Sequence, residues 1–514
     1  MRIAALDLGS NSFHLLVADV HPDGSFESIA REKDMLRLGD DVTRHGEISA
    51  AVADRAVESV RHLKQLADAV GATEVLAKAT SAIRTAANGS ELVDRIEDEA
   101  GVEIEVISGL EEARLIFAAV RASVVLDPSP ALGIDIGGGS VEFAIGDAQG
   151  LRWAESVPLG VGRLTADLIT EDPPSKSDRK RLDERIRETL DPLVADISAR
   201  APAMFVGTSG TINDLARMAI ALDTGELPTT SNGLRVTRDQ FDALHERIIK
   251  AKTSERKKLP GLEEKRAELL PAGSALLTIA LELFDADTLT VSDWALREGI
   301  VLDAVRTHDP ADWSDDPRQL RRAAVSGLAR RCNSDEPHTT RVAHLALELF
   351  DDLVDLHGLG PEDREMLEFA ALLHDVGQHV SRKGHHRHAA YLVENGQLRG
   401  FEPAEIEFLA ALVHHHRRGD PKPSEPRFAA LSANDRLRVR KLAGILRVAD
   451  GLDRGRRGVI KDAHATVNSD LVVVRLQAAG DAELALWGAR RRRDLFESVF
   501  DRELELMVSA AQNV

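Results

Sequence analysis

The chain has 514 residues, 43% of them apolar and 29% charged, with a net charge of −20. That apolar content supports roughly two to four domains and argues against disorder, collagen and solenoid repeats. The acidic balance argues against a duplex nucleic-acid binder, which normally shows a basic face. It still allows an anionic substrate, provided local cations or metal ions neutralise it. No apolar run approaches the ~18 residues of a membrane span, and the opening MRIAALDLGSNS has no signal-peptide layout. The single cysteine, Cys332, excludes an internal disulfide. The expectation is a cytoplasmic, soluble protein.

Short apolar runs alternate with helical patterns through the first third. Strands are expected at Ile3–Leu6, Leu15–Val20, Glu74–Thr80 and Ile104–Ile107, and helices at Ala50–Val70, Ser90–Ala100 and Glu111–Val120. Two prolines near Asp127–Pro130 suggest a hinge, after which the α/β pattern restarts at Leu132–Ile136 and runs to about residue 306. The segment His308–Pro317 has a linker's Pro and Asp content. From about 319 to 455 the pattern is helical and holds 11 of the 18 histidines, between His338 and His416. Strand-like segments return at Ala465–Leu476 and Glu483–Trp487, followed by one helix from Arg491. The expected domains are residues 1–126 and 127–310 as two α/β lobes, 311–460 as a helical domain, and 461–514 as a small α+β appendage.

One internal repeat stands out. Leu6-Asp7-Leu8-Gly9-Ser10-Asn11-Ser12 matches Ile134-Asp135-Ile136-Gly137-Gly138-Gly139-Ser140 at a constant offset of 128. After the second copy Val141, Phe143 and Ile145 alternate with Glu142, Ala144 and Gly146, so each turn joins two strands and does not open a helix. Glycines let backbone amides approach a phosphate closely, and Ser10, Asn11, Ser12 and Ser140 add donors. An Asp closing the leading strand, Asp7 or Asp135, can hold Mg²⁺ directly or through water. Two such copies predict twin lobes facing a cleft.

Other segments suit the same cleft. Ser209-Gly210-Thr211 follows an apolar strand and opens a helix, an anion site by its free amides or simply a cap. Arg84 follows another strand and can fork onto phosphate oxygens, although a lone Arg is more often a surface residue. Glu111 and Glu112 open a helix, where they serve either as dipole-favoured caps or as a general base.

The segments AALDLGSNSFHLLVADV (4–20), KATSAIRTAAN (78–88), ISGLEEARLIF (107–117), LGIDIGGGSVEFAIG (132–146), GTSGTIND (207–214), LPGLEEKRAELLPAG (259–273) and VSDWALREGIVLDAV (291–305) resemble, in this order, the Ppx/GppA family. These are exopolyphosphatases and guanosine pentaphosphate phosphohydrolases of the actin-like (ribonuclease H-like) phosphotransferase superfamily. The resemblance implies a two-lobed α/β fold, Glu112 as the base that activates water, and Asp135 and Glu142, with Asp7, as Mg²⁺ ligands. It also implies Ser10–Ser12 and Gly137–Ser140 as a phosphate cradle, Arg84 as a clamp, and a homodimer. The helical part resembles the HD domain of longer members. His338, His374-Asp375 and Asp450 follow the H…HD…D order of HD metal phosphohydrolases, which implies a second divalent metal (Mn²⁺, Fe²⁺ or Zn²⁺), with His414 or His415 supplying a further site. The alternative is an ion-pair network of Asp375 and Asp450 with His374, Arg341 or Arg447.

The function expected is removal of the terminal phosphoryl group of inorganic polyphosphate. The closest alternative is the 5′-phosphate of guanosine pentaphosphate, which the same machinery would serve. A sugar or acid kinase of this fold would need an acceptor Asp and an adenosine pocket, for which no motif stands out. A non-catalytic sensor fits poorly with Glu112, Asp135 and Glu142 all in place. Arg417, Arg418, Arg436, Arg438, Arg440, Lys441, Arg454, Arg456 and Arg457 are candidates for a polyphosphate path, and the Arg490–Arg493 run reads as a solvated helix start.

Overall fold

The computed structural model describes residues 1–21, 26–126, 129–228, 230–308, 317–396, 398–417 and 419–509. Asp127 and Pro128 of the expected hinge, most of the expected linker, and Arg418 lie outside the described residues. The chain divides into two compact units, Met1–Leu320 and Arg321–Val514.

The first unit contains two sheets. The first is built from β1 (Arg2–Leu8), β2 (Ser12–Val20), β3 (Phe26–Met35), β4 (Glu74–Ala79) and β5 (Ile104–Val106), in the order β3-β2-β1-β4-β5. The second uses β6 (Ala131–Ile136), β7 (Val141–Asp147), β8 (Gly150–Val157), β9 (Met204–Thr208), β10 (Arg235–Thr237) and β11 (Thr288–Val291), in the order β10-β11-β9-β6-β7-β8. Each sheet opens with a three-stranded antiparallel meander and continues with a strand parallel to its first. This repeated topology is the twin-lobed, actin-like arrangement. Ile3, Ala4, Ala5, Leu6 and Leu8 are all fully buried, as a near-continuous apolar strand must be when both faces are covered.

Helices provide that cover. Ala50–Ala69 and Gly89–Ala100 pack one face of the first sheet, through Val57, Val60, Leu92 and Ile96. Gly109–Ser123 and Leu296–His308 pack the other, where Leu115, Ile116, Ile300 and Val301 meet Ala5 and Leu16. The lobe expected to end at residue 310 therefore does not keep its last helix, which returns to the first sheet. Gly109–Ser123 serves both sheets, since Phe117 and Val120 pack with Ala131, Ala144 and Val206 of the second. The first turn of that helix thus lies between the two lobes.

In the second unit, Glu336–Asp352, Pro361–Leu373, His385–Asn395, Pro403–His414 and Ala433–Leu452 are helices around one core. That core continues through the expected boundary at 460/461 into β12 (Ile460–Val467), β13 (Leu471–Ala478) and β14 (Glu503–Ser509), a three-stranded sheet. Ala465–Leu476 is two strands joined by a turn, not one. Glu483–Trp487, read as a strand from its alternation, lies in the helix Glu483–Arg490. Its small residues explain the override: Ala489 and Gly488 lie so close to Gly451 that a side chain there would meet Ala489 Cα at 2.5 Å. The helix expected from Arg491 is short, Asp494–Phe500, and β14 follows it in parallel pairing with β13.

Candidate active site

The two repeated hairpins face one cleft. In the first, β1 and β2 pair Asp7 with His14; in the second, β6 and β7 pair Asp135 with Glu142, so the offset of 128 holds in the register. The amides of Gly39 and Leu36 donate to the carbonyls of Ser10 and Asn11, at 2.8 and 3.0 Å. Those of Val161 and Gly162 donate to Gly137 and Gly138, at 3.0 and 2.9 Å, so each turn is pinned by its carbonyls. The turns also approach each other. A Cβ on Gly138 would stand 2.7 Å from Asn11 Cγ, and one on Gly139 would stand 2.5 Å from Ser10 Oγ. Only glycine permits that approach. Ser10, Asn11, Ser12, Gly137, Gly138, Gly139, Ser140, Ser209, Gly210 and Thr211 all line the cleft.

Asp7, Glu112 and Asp135 line it too, and Glu142 is buried opposite Asp135. Burial, partly offset by Arg297, pushes Asp7 up to about 6. Burial and the charges of Glu112 and Asp7 push Asp135 up to about 8. Glu142 rises to about 8 through burial and Asp135, although Ser156 Oγ donates to its Oε1 at 2.8 Å. Glu112 is held well above the carboxylate range by burial and by Glu142, against the pull of Arg84. A cluster of acids that burial and mutual repulsion keep protonated is one that a hard cation would relieve. The donor set, all oxygen, fits Mg²⁺. Among the described residues, the groups whose three ligand atoms lie within 4.8 Å of one another are all in the second unit, so the cleft acids suit an ion that keeps water and takes substrate oxygens.

Glu112 occupies the first turn of Gly109–Ser123, a helix capped by Ser108 Oγ, which accepts from the amide of Glu111 at 3.1 Å. Arg84 Nη1 lies 3.1 Å from Glu112 Oε2 and donates to the Ile107 carbonyl at 2.7 Å. Here Arg84 holds the Glu112 carboxylate through Nη1. Glu111 turns aside, doubly bonded to Arg114 at 2.7 and 2.8 Å. Ser209 caps the helix Gly210–Thr224 with φ of 92°, a strained conformation for a side-chain-bearing residue and one concentrated at functional sites.

Sequence reasoning missed the cationic side of the cleft. Arg266 lies flat on Gly210, whose added Cβ would stand 2.1 Å from its guanidinium, and Arg297 lies 3.3 Å from His14 Nδ1. His14 Nε2 is 2.8 Å from Ser12 Oγ. Burial and the charges of Arg297 and Lys33 hold this imidazole neutral, well below its usual range.

The second unit gathers the other predicted set. His338 Nε2 lies 3.8 Å from Asp450 Oδ1 and 3.9 Å from Asp375 Oδ2, and His374 Nε2 lies 3.7 Å from Asp375 Oδ2. His374 Nδ1 donates to the Ala371 carbonyl at 2.7 Å, which leaves Nε2 buried without a hydrogen-bond partner. His338 Nδ1 faces Asp453 Oδ2 at 2.8 Å. Histidines fixed at one nitrogen and bare at the other are prepared as ligands. The arginines on the carboxylates are Arg456 on Asp375 and Arg492 on Asp450, not Arg341 or Arg447. Arg492 is therefore turned inward and is not part of a solvated helix start. Among the proposed path residues, Arg438 is spent on Asp363 and Asp435, Arg456 on Asp335 and Asp375, and Lys441 on the His357 carbonyl.

The chain is similar along most of its length to one family of phosphatases. The Ppx/GppA phosphatase family matches residues 16–308, and its domain III matches residues 320–483. Exopolyphosphatase 1 of Mycobacterium leprae is 34% identical over 312 residues, covering 59% of this chain and 89% of the relative. The Mycobacterium tuberculosis exopolyphosphatase 1 is 34% identical over 308 residues, with 59% and 88% covered. Among solved structures, an exopolyphosphatase from Cytophaga hutchinsonii superposes with a TM-score of 0.57 at 31% identity, covering 60% of this chain and 98% of that one. The Aquifex aeolicus family member superposes at 0.51 and 31% identity, covering 60% and 99%. The chain belongs to the Ppx/GppA phosphatase family.

Proposed function

We propose that this chain is an exopolyphosphatase whose cleft binds the end of an inorganic polyphosphate chain and releases the terminal phosphoryl group as orthophosphate. The observation that carries this reading is the set of three buried acids, Glu112, Asp135 and Glu142, with half-buried Asp7, facing two touching Gly/Ser turns. Phosphoryl transfer needs in-line positioning and charge neutralisation rather than covalent help. The amides and hydroxyls of Ser10–Ser12 and Gly137–Ser140, with the Gly210–Thr224 N-terminus, hold the phosphate oxygens. Asp135, Glu142 and Asp7 would hold Mg²⁺, which when bound offsets charge on those oxygens. Glu112, oriented by Arg84 and ionised once a bound cation offsets the charge of its neighbours, takes the proton of the attacking water; its raised pKa makes it the stronger base. The water oxygen bonds to the terminal phosphorus, the anhydride P–O bond breaks, and the shortened chain leaves as the oxyanion.

We read the second unit as an HD-type domain holding one divalent transition metal on His338, His374, Asp375 and Asp450. The protein is taken to be a cytoplasmic homodimer, on the family resemblance and the lone cysteine. No helix among the described residues is long and apolar enough to cross a membrane. The test is phosphate release from long polyphosphate and from guanosine pentaphosphate, each with Mg²⁺. Release from polyphosphate is expected, and release from guanosine pentaphosphate alone would move the reading to the nucleotide. Metal analysis of the full chain beside His374→Ala/Asp375→Ala tests the second site.

A further inference from the structure

β12 is an edge strand of its sheet, and the helix Glu336–Asp352 lies along it. An edge strand turns alternate backbone amides away from its paired neighbour, and folded chains cover such groups. Here the cover is acidic. The amide of Ala463 donates to Glu348 Oε2 at 2.8 Å, and that of Ala465 donates to Asp352 Oδ2 at 2.9 Å. Four helical residues rise about 6 Å and two strand residues about 6.7 Å, so acids and amides stay in step along the seam.

The backbone thus fixes one oxygen of Glu348 and leaves the other to a second task. Glu348 Oε1 lies 3.4 Å from His344 Nε2, and Asp462 Oδ1 lies 3.3 Å from the same nitrogen. These three ligand atoms lie within 4.8 Å of one another. A charge-assisted N–H···O bond closes to about 2.7–2.9 Å, and one Nε2 proton cannot point at two oxygens at once. Two ligands held about 2.0–2.1 Å from a tetrahedral ion stand about 3.3–3.4 Å apart. The separations at His344 match that coordination edge better than a charge-assisted bond. Charge points the same way. Around a neutral imidazole the two carboxylates leave two negative charges, of which a proton on His344 removes one and a divalent ion both.

The trio is separate from the buried histidines. His344 stands six residues after His338, about 120° round the helix and about 9 Å along it, and it is exposed where His338 is buried. His464 is a bystander. It faces Asp352 Oδ2 at 3.2 Å, an oxygen the Ala465 amide already uses, and stands opposite Arg475 on β13.

We propose that His344, Glu348 and Asp462 bind one Zn²⁺, with water in the fourth position, and that this ion staples the edge strand β12 to the helix Glu336–Asp352. One imidazole with two carboxylates suits a borderline ion over Mg²⁺ or Ca²⁺. The Ala463 amide on Glu348 is the kind of outer partner that holds a ligand in place. Because the site opens to solvent, the ion exchanges, and the second unit's stability follows the Zn²⁺ concentration.

The test uses the full chain, brought to equilibrium with Zn²⁺ by dialysis and followed by elemental analysis. His344→Gln/Asp462→Asn, and the gentler His344→Gln alone, should each hold one Zn²⁺ fewer per chain than wild type, since any ion on the buried histidines is common to all. His464→Gln should hold as many as wild type. Saturating Zn²⁺ should raise the melting temperature of wild type and His464→Gln by a few degrees more than that of His344→Gln. Equal zinc in wild type and His344→Gln overturns the site. An equal loss in His464→Gln overturns the ligand set. A lower melting temperature in His344→Gln that Zn²⁺ does not alter would reveal an ion-pair seam and overturn the staple.

Discussion

The two hairpins of the first unit share a backbone plan and differ at one decisive pairing. Opposite Asp7 stands His14, and opposite Asp135 stands Glu142. In the first copy the position carries a neutral imidazole held between Ser12 and Arg297. In the second it carries a carboxylate that shares the repulsion of Asp135. One architectural unit, used twice, has thus become an anion-facing half and a cation-facing half. On the proposed function, substrate and metal meet in one cleft whose second copy carries two acids where the first carries one.

The sharpest way to break this division is to neutralise the acid half. Asp135→Asn keeps the shape and removes a charge that Mg²⁺ would need. Losing several kcal/mol of charge stabilisation should cut turnover by about 10³–10⁵-fold and weaken its Mg²⁺ dependence. Steady-state phosphate release across a Mg²⁺ series measures both. Unchanged Mg²⁺ dependence would place the ion elsewhere. Next in size is Glu112→Gln, expected to lower turnover by roughly 10²–10⁴-fold while polyphosphate binding persists. Glu111→Gln, paired outward with Arg114, should leave turnover near wild type. A large loss in both variants would mean that the helix N-terminus, not one base, carries the effect.

How much of this was legible follows from what each feature asks of the chain. The hairpins showed themselves because strand alternation and a fixed offset are local, repeated signals, so Asp7, Asp135 and both turns could be placed from residues alone. Glu112 needed the resemblance, since a Glu in a helix's first turn is equally a cap. Arg266 and Arg297 lie within the family-like segments 259–273 and 291–305, but each is a single Arg, brought to the cleft by a contact more than fifty residues away in sequence, to Gly210 and to His14. In the second unit the order of His338, His374, Asp375 and Asp450 was readable. That His416 reaches Asp375 and His385, while His414 and His415 gather with Glu425, was not. Three identical residues at a helix end look alike, and only the fold decides which partners each meets. The strand read at Glu483–Trp487 failed for a related reason, because the Gly451–Gly488 approach that makes it a helix is invisible locally.

A smaller effect sharpens the comparison from the other side. His14→Glu makes the first copy resemble the second, adding an acid beside Asp7 and severing the link from Ser12 to Arg297. The added charge repels phosphate, so KM for polyphosphate should rise by about 10-fold, worth about 1.4 kcal/mol, with a lesser change in kcat. His14→Gln, which adds no charge, should shift KM much less. Equal shifts in the two variants would show that the imidazole matters for packing and not for the charge asymmetry.

The smallest predicted effect is on stability and follows from the raised acids. A carboxyl whose folded pKa lies above its unfolded value binds its proton more tightly when folded. Its stabilising contribution is complete below the unfolded value, near 4, and is lost as pH rises through the folded value. For Asp7 that loss runs from about 4 to about 6, and for Asp135 and Glu142 from about 4 to about 8. Metal-free protein should therefore melt progressively lower from about pH 4 up to about pH 8, as the unfolded chain gives up protons that the folded acids still hold. Mg²⁺ replaces those protons, so its stabilisation should be small at low pH and grow to a few degrees at the upper end of the window. Melting curves at several pH values, with chelator or with Mg²⁺, measure the difference. The His14→Glu variant should show a steeper fall, because its first copy now carries the same liability as its second. A Mg²⁺ effect independent of pH would mean that the ion binds away from Asp135 and Glu142, and the asymmetry of the two turns would then have to be explained by the phosphate alone.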